Sequence, residues 1–276
     1  MTEDGVRKVI SFANMSPGRQ FDSQCLALST RINRNWAWTG GDGGRVRVCI
    51  LDSGLRPDFQ PEVVDARLTV RRADADGSWE IVNDDQGDAA NHGSDCAEII
   101  HRLAPAARIT SIRVLGAGLG GSSRTLVEAL SWAIEQKFAV VNLSLSTKNT
   151  VAKHELHDLA DRAVFGNVAL VAAANNNAVD SFPWRFSSVF STGSHDFAES
   201  EYLEVNPCPP VEFFARGVRV PVPRGESTAL VSGNSFAAPH LSGLIARIRS
   251  KHPRLSLMEV RHVLFAVSDN IGEAIA

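Results

Sequence analysis

The chain has 276 residues, 44% hydrophobic, 21% charged and 7% aromatic, values that suit one soluble globular domain with a large core of its own. Lys and Arg number 28 against 31 Asp and Glu, and the formal charge of -3 offers no basic field for nucleic acid. No run approaches the roughly 18 consecutive apolar residues that span a bilayer, the first residues lack a signal-peptide apolar block, and Cys25, Cys49, Cys96 and Cys208 are too scattered for a disulfide framework or a paired-cysteine metal site.

A cytoplasmic enzyme with no cofactor, no nucleic-acid partner and no membrane partner is the resulting expectation. Residues 1–20 read as a loose extension, ahead of a single domain over 21–276. The first predicted strand is RVRVCILDSG (45–54), short, β-branched and apolar as a buried parallel strand should be. Residues 71–91 read as a polar loop carrying Asp74, Asp76, Glu80, Asp84, Asp85 and Asp88. A solvated acidic loop is the plain interpretation, because Gly77 comes too early after Asp74 and Asp76 for an EF-hand. Asn91-His92-Gly93-Ser94 then opens a helical run.

Further strands are predicted over 108–116, 138–146 and 167–176. Between them lie a helix over 122–136, capped by Ser122 or Ser123, and another over 152–165 that ends near Gly166. Ser232-Gly233-Asn234-Ser235-Phe236-Ala237-Ala238-Pro239-His240 leads into an apolar helix with Leu241, Leu244, Ile245 and Ile248 on one face. Ser256 and Glu259 form a capping box before Val260, Val263, Leu264 and Val267. Strands alternating with helices predict a doubly wound α/β fold, a mostly parallel sheet flanked by helices in three layers.

Reactive groups in such sheets gather at the carboxyl ends of the strands. The first strand ends in Asp52, the fourth in Asn175-Asn176-Asn177, and His92 and Ser235 each stand at the head of a helix. Singly, these are a turn former, a structural histidine and an N-cap. Together, Asp then His then Ser is one of the chain orders in which a serine hydrolase triad occurs.

The chain resembles the subtilases, serine peptidases of the subtilisin family, over about residues 30–268. VCILDSG resembles the family's Asp motif, HGS its His motif and GNSFAAPH its Ser motif, while VVNLSLS, LVAAANN and SFPWRFSSVFSTGS resemble three further family segments. The resemblance implies Ser235 as nucleophile, His92 as general base and acid, and Asp52 as the group that holds the imidazole. It implies Asn176 as the side-chain donor of the oxyanion hole, with the Ser235 N–H as its partner. It also implies a peptide-binding edge strand at Gly118-Leu119-Gly120-Gly121 and an opposite wall at Ser144-Leu145-Ser146.

Several departures from the family pattern bear on function. Asn175 stands where the family has Gly, and Asp95 and Glu98 replace the second His and the later Gly of the His motif; both acids are expected to face solvent. Ile99 to Pro105 run straight into the next strand, without the calcium-binding insertion of many relatives, so no metal site is expected there. Cys96 falls one helical turn after His92, a place where some subtilases carry Cys beneath the catalytic His. Ser146 and Trp184 stand where many relatives are small, which predicts a shallow slot and a small side chain before the cut bond; the opposing expectation has Trp184 packed under the Phe182–Phe186 segment. The expected activity is a serine endopeptidase acting on a peptide or protein substrate, with trimming of a precursor peptide suiting a short chain without a secretory signal. A transpeptidase or macrocyclase of the same fold, or a peptide-binding pseudoprotease, are the alternatives.

Overall fold

The computed structural model describes residues 32–271 apart from 61, 74 and 75, so the expected N-terminal extension and Cys25 lie outside the described residues. In chain order the first elements are α1 (Arg34–Ala37), β1 (Arg47–Asp52), β2 (Val64–Arg72), β3 (Trp79–Asn83), α2 (His92–Leu103) and β4 (Arg108–Arg113). Next come α3 (Ser123–Glu135), β5 (Val140–Leu143), α4 (Lys153–Phe165), β6 (Ala169–Ala173) and β7 (Phe190–His195). The last are β8 (Leu203–Val205), β9 (Phe213–Arg216), β10 (Val220–Arg224), β11 (Ser227–Val231), α5 (Asn234–Lys251) and α6 (Leu257–Ala266).

Nine strands form one sheet in the order β3-β2-β4-β1-β5-β6-β7-β9-β8. Its neighbours pair in parallel from β2 to β9, and only the outer strands β3 and β8 run antiparallel. The alternation of β1 explains the layers. Val48 and Ile50 pack with α2, α5 and α6, whereas Cys49 and Leu51 pack with α3 and α4 on the opposite face. A strand buried on both faces reads as a continuous apolar run, which is why β1, β4, β5 and β6 fall inside the predicted segments.

The helices start where local chemistry says they should. Ser122 Oγ accepts the Arg124 N–H at 3.1 Å to cap α3, and Ser256 and Glu259 close the reciprocal capping box of α6. The predicted loop over 71–91 needs correction: its middle is β3, paired with β2 at the sheet edge and carrying an Arg71–Glu80 ion pair across the two strands. Charged residues on half-exposed edge strands hide the strand pattern from a hydrophobicity reading.

The sheet turns its direction of winding at β1: the chain moves to β2 and β4 on one side, then to β5 and β6 on the other. The connections leaving the carboxyl ends of β1 and β5 therefore run to opposite sides of the sheet order, the place where such sheets hold their ligands.

Candidate active site

Asp52 ends β1 fully buried, and its Oδ1 accepts the Ser53 N–H at 2.8 Å while lying 2.7 Å from His92 Nδ1. His92 opens α2. The helix is held tightly against β1, because a Cβ on Gly93 would stand 2.2 Å from the Gly54 carbonyl oxygen, so only glycine allows this approach. The first N–H groups of α2 are capped from outside it. Ser53 Oγ accepts from Gly93 N at 3.0 Å, and Asp88 Oδ2 accepts from Ser94 N at 2.8 Å and Ser94 Oγ at 2.7 Å. Asp88 thus leaves the predicted solvated loop to fix the His-bearing helix, and Asp84 pairs with Arg113 through two bonds of 2.9 Å.

Ser235 is the second residue of α5, whose first-turn N–H groups have no partner within the helix. Pro239, inside the same helix, has no N–H to give to the Ser235 carbonyl one turn earlier. Ser144 takes that carbonyl instead, donating from Oγ at 2.7 Å. Behind it, Asn142 Nδ2 donates to Ser144 Oγ at 3.0 Å and Ser242 Oγ donates to Asn142 Oδ1 at 2.9 Å, tying α5 to the end of β5. Cys96 completes this buried floor, its Sγ 3.3 Å from Ser144 Oγ, 3.7 Å from the Ser235 carbonyl oxygen and 3.8 Å from Asp52 Oδ2. Burial first, and then the Asp52 charge, push the Cys96 thiol well above its ordinary pKa.

Asn176 follows β6. Its Oδ1 accepts the Asn234 N–H at 3.0 Å, which turns Nδ2 away from that bond. A Cβ on Gly233, at φ +153, would stand 3.3 Å from Ser235 Oγ and 3.4 Å from Asn176 Nδ2, so hydroxyl and amide share one corner that glycine keeps clear. Asn234 is buried and binds the chain at Ala174, Asn175 and Ser194, fixing the 174–176 turn to α5. The Asn175 amide is engaged elsewhere: Oδ1 accepts the Asn177 N–H at 2.9 Å and Nδ2 donates to Ser146 Oγ at 3.2 Å.

A cavity of about 330 Å³ opens beside these groups. His92, Leu119, Gly121, Ser144, Leu145, Ser146, Asn176 and Ser235 all line it. Three expected substrate residues do not. Gly118 and Gly120 stand off the wall, because 116–120 is a turn rather than an edge strand. Gly116 N donates to the Gly120 carbonyl and Leu119 N to the Gly116 carbonyl, both at 2.9 Å, with Leu119 at φ 55. Trp184 is also outside: it packs in the core with Phe182 and Phe186, its Nε1 donating to Ser181 Oγ at 2.8 Å. A large ring with one donor is best satisfied where both its area and its N–H are buried, so the slot owes nothing to it.

The His92 ring is mostly buried, which by itself lowers its pKa; the charge and hydrogen bond of Asp52, then Asp95 and Asp88, outweigh this and raise it above the ordinary imidazole value. His240 behaves oppositely: full burial pushes it down to about 3, and its Nδ1 lies 2.8 Å from the Phe236 carbonyl oxygen, so it is a neutral structural residue. Asp52, His92 and Cys96 bring three donor atoms within 4.8 Å of one another, but Asp52 and His92 already bind each other. A carboxylate-bound imidazole, a hydroxyl at a helix N-terminus and a side-chain amide around one cavity form a set suited to acyl transfer.

A model of the subtilase family, Peptidase_S8, matches residues 43–274. The chain belongs to the subtilase family. Subtilisin DY of Bacillus licheniformis is 28% identical over 253 residues, covering 85% of this chain and 88% of that protein. M-protease of Shouchella clausii is 28% identical over 247 residues, covering 84% of this chain and 61% of that protein. A solved structure of a cold adapted subtilisin-like serine proteinase has the same fold, with a TM-score of 0.64 at 21% identity over 84% of this chain and 86% of that one. This subtilase is accordingly a serine peptidase. No described helix is long and apolar enough to cross a membrane.

The sequence of this subtilase singles out Asp95 in the His motif but not its role, and no motif announces Arg224. Both Asp95 and Glu98 are expected in solvent from the sequence, yet Asp95 is buried and paired with Arg224, and Glu98 is mostly covered and paired with Arg102. Arg224 lies 129 positions away from Asp95, too far for any local pattern to signal the pair.

Proposed function

We propose that this peptidase cleaves peptide bonds through Asp52, His92 and Ser235, with Asn176 as oxyanion donor. The observation that carries the reading is the 2.7 Å Asp52–His92 contact at the rim of a cavity that Ser235 and Asn176 also line. Ser235 Oγ attacks the peptide carbonyl carbon, and its proton passes to His92 Nε2. The negative oxygen so formed is met by Asn176 Nδ2 and by the Ser235 N–H at the start of α5. The C–N bond then breaks as His92 returns the proton to the leaving amine. Water, deprotonated by His92, attacks the acyl ester, and His92 gives that proton to Ser235 Oγ as the acyl C–O bond breaks. Asp52 holds the imidazole tautomer throughout and stabilises its charged form. Leu119, Gly121 and Ser144–Ser146 bind the substrate chain along the cavity walls.

The side chain before the cut bond enters between Ser144–Ser146 and Ala173–Asn175. The Asn175–Ser146 hydrogen bond of 3.2 Å spans those two walls, so the slot accepts small side chains and turns aromatic ones away. A peptide library is expected to show Ala, Ser or Gly at that position. Asn175→Gly should then raise cleavage after Phe or Leu by roughly ten-fold or more. A parent enzyme that prefers Phe, Tyr or Leu overturns the narrow slot, and mass analysis of the products separates hydrolysis from cyclisation.

Cys96 gives a chemical handle on the same floor. A mercurial is expected to inactivate the parent slowly, since the thiol is buried and its pKa is high, and Cys96→Ala should abolish the inhibition. Equal loss in both proteins would assign the effect to another cysteine. A dedicated cytoplasmic role in trimming a precursor peptide fits the free thiols of Cys49 and Cys96, which persist most readily in a reducing compartment. Release of a shortened peptide from a candidate precursor encoded beside this protein would test that role.

A further inference from the structure

Asp95 lies in the first turn of α2, one turn after His92, and its side chain is 3% exposed. Both carboxylate oxygens bind Arg224, Oδ1 to Nη1 at 2.5 Å and Oδ2 to Nη2 at 2.6 Å, in the fork geometry that only arginine offers. Arg224 ends β10, in the two-stranded β10–β11 hairpin that stands outside the main sheet. The other end of that hairpin runs through Ser232, Gly233 and Asn234 into Ser235.

Such a ribbon has little stability of its own and takes its position from what it docks on. Here it docks on α2. Val220 packs with Ile99 and Phe236, Arg102 Nη1 donates to the Pro221 carbonyl at 2.7 Å, and the Asp95–Arg224 pair closes the far end. The helix that carries His92 and the segment that delivers Ser235 are thus braced against each other by contacts that touch neither reacting atom.

We propose that Asp95 and Arg224 are positioning residues for the reaction, holding the His92 helix in register with the hairpin that leads into Ser235. The inference rests on the assignment of His92 and Ser235 above. The pair also sets the charge around the imidazole. His92 is faced by Asp52 from β1, Asp88 from the loop before α2, Asp95 on its own helix and the uncharged Phe236 ring from α5, while Arg224 neutralises Asp95 from the hairpin. Burial lowers the His92 pKa, and Asp95 joins Asp52 in raising it.

The test uses the full chain with two readouts, the His92 titration followed by NMR and kcat against KM on one peptide substrate. Asp95→Asn keeps the shape and removes the charge, and the His92 pKa should fall. Arg224→Met should lower kcat about ten-fold with KM nearly unchanged, since small displacements of reacting groups cost rate before binding. Arg224→Lys, which keeps the charge and the fold but not the fork, should recover part of that loss. Unmoved His92 titration in Asp95→Asn, or parental kcat in Arg224→Met, overturns the proposal. So does an effect confined to melting temperature. The titration is read without catalysis, so it tests the coupling of Asp95 to His92 even if Ser235→Ala proves the nucleophile assignment wrong.

Discussion

Ser235→Ala is expected to lower turnover by about 10⁶-fold and to abolish labelling by a fluorophosphonate, while the protein stays folded. The fold should survive because the change removes one hydroxyl, whereas the backbone ties of this residue persist: Ser144 Oγ still donates to the Ser235 carbonyl. Without the hydroxyl no acyl-enzyme forms, so the loss falls on kcat. His92→Ala should cost a similar factor, and the double variant should be no worse than either, because nucleophile and base act as one unit. Cleavage by Ser235→Ala at the parental rate, measured on a fluorogenic peptide, would falsify the assignment.

Asn176→Ala carries the second largest expected effect, a fall in kcat of about 10²- to 10³-fold with KM changed only a few-fold. The asymmetry follows from when the contact is made. The amide meets an oxygen that becomes negative only as Ser235 attacks, so it stabilises the transition state more than the bound substrate. The variant also strips the Asn234 N–H of its 3.0 Å acceptor, at a stability cost of about 1 kcal/mol. Fluorophosphonate labelling should slow but persist. If kcat falls less than five-fold or so, the donor lies elsewhere, and Asn177, which also lines the cavity, is the next to replace.

The pH dependence follows from the direction of the His92 shift. A general base works only when neutral, and this imidazole holds its proton to higher pH than an ordinary one. Activity is therefore expected to fall with acidification earlier than an unperturbed histidine would dictate. A profile of kcat/KM against pH reads the midpoint, and a midpoint below the ordinary imidazole value of about 6.5 would contradict the sign.

Much of this molecule is written in short-range pattern. Buried parallel strands need apolar residues on both faces, so β1, β4, β5 and β6 stand out as runs, and the stripes of α3 and α4 follow from the 3.6-residue turn. Ser122 and the Ser256–Glu259 box act within a single turn, and their sequence neighbours alone specify them. The order Asp, His, Ser marks Asp52, His92 and Ser235 as one candidate set, each where a strand ends or a helix begins, and the resemblance to the subtilases adds Asn176.

What only the tertiary structure decided concerns partners far apart in the chain. Asp95 reads as a solvent-facing acid until the hairpin brings Arg224 onto it from 129 positions away. Asp88 reads as loop charge until the end of β1 places Ser53 and α2 beside it. Trp184 turns into the core rather than the slot because Ser181 and the Phe182 and Phe186 rings satisfy both its N–H and its area there. The glycines at 118 and 120 close a turn instead of an edge, since nothing in a glycine-rich run holds it extended. Periodicity and capping are local and survive in a linear reading. Burial of a charge, or the choice between two faces for a ring, depends on which elements the sheet order makes neighbours, and no single stretch of sequence carries that information.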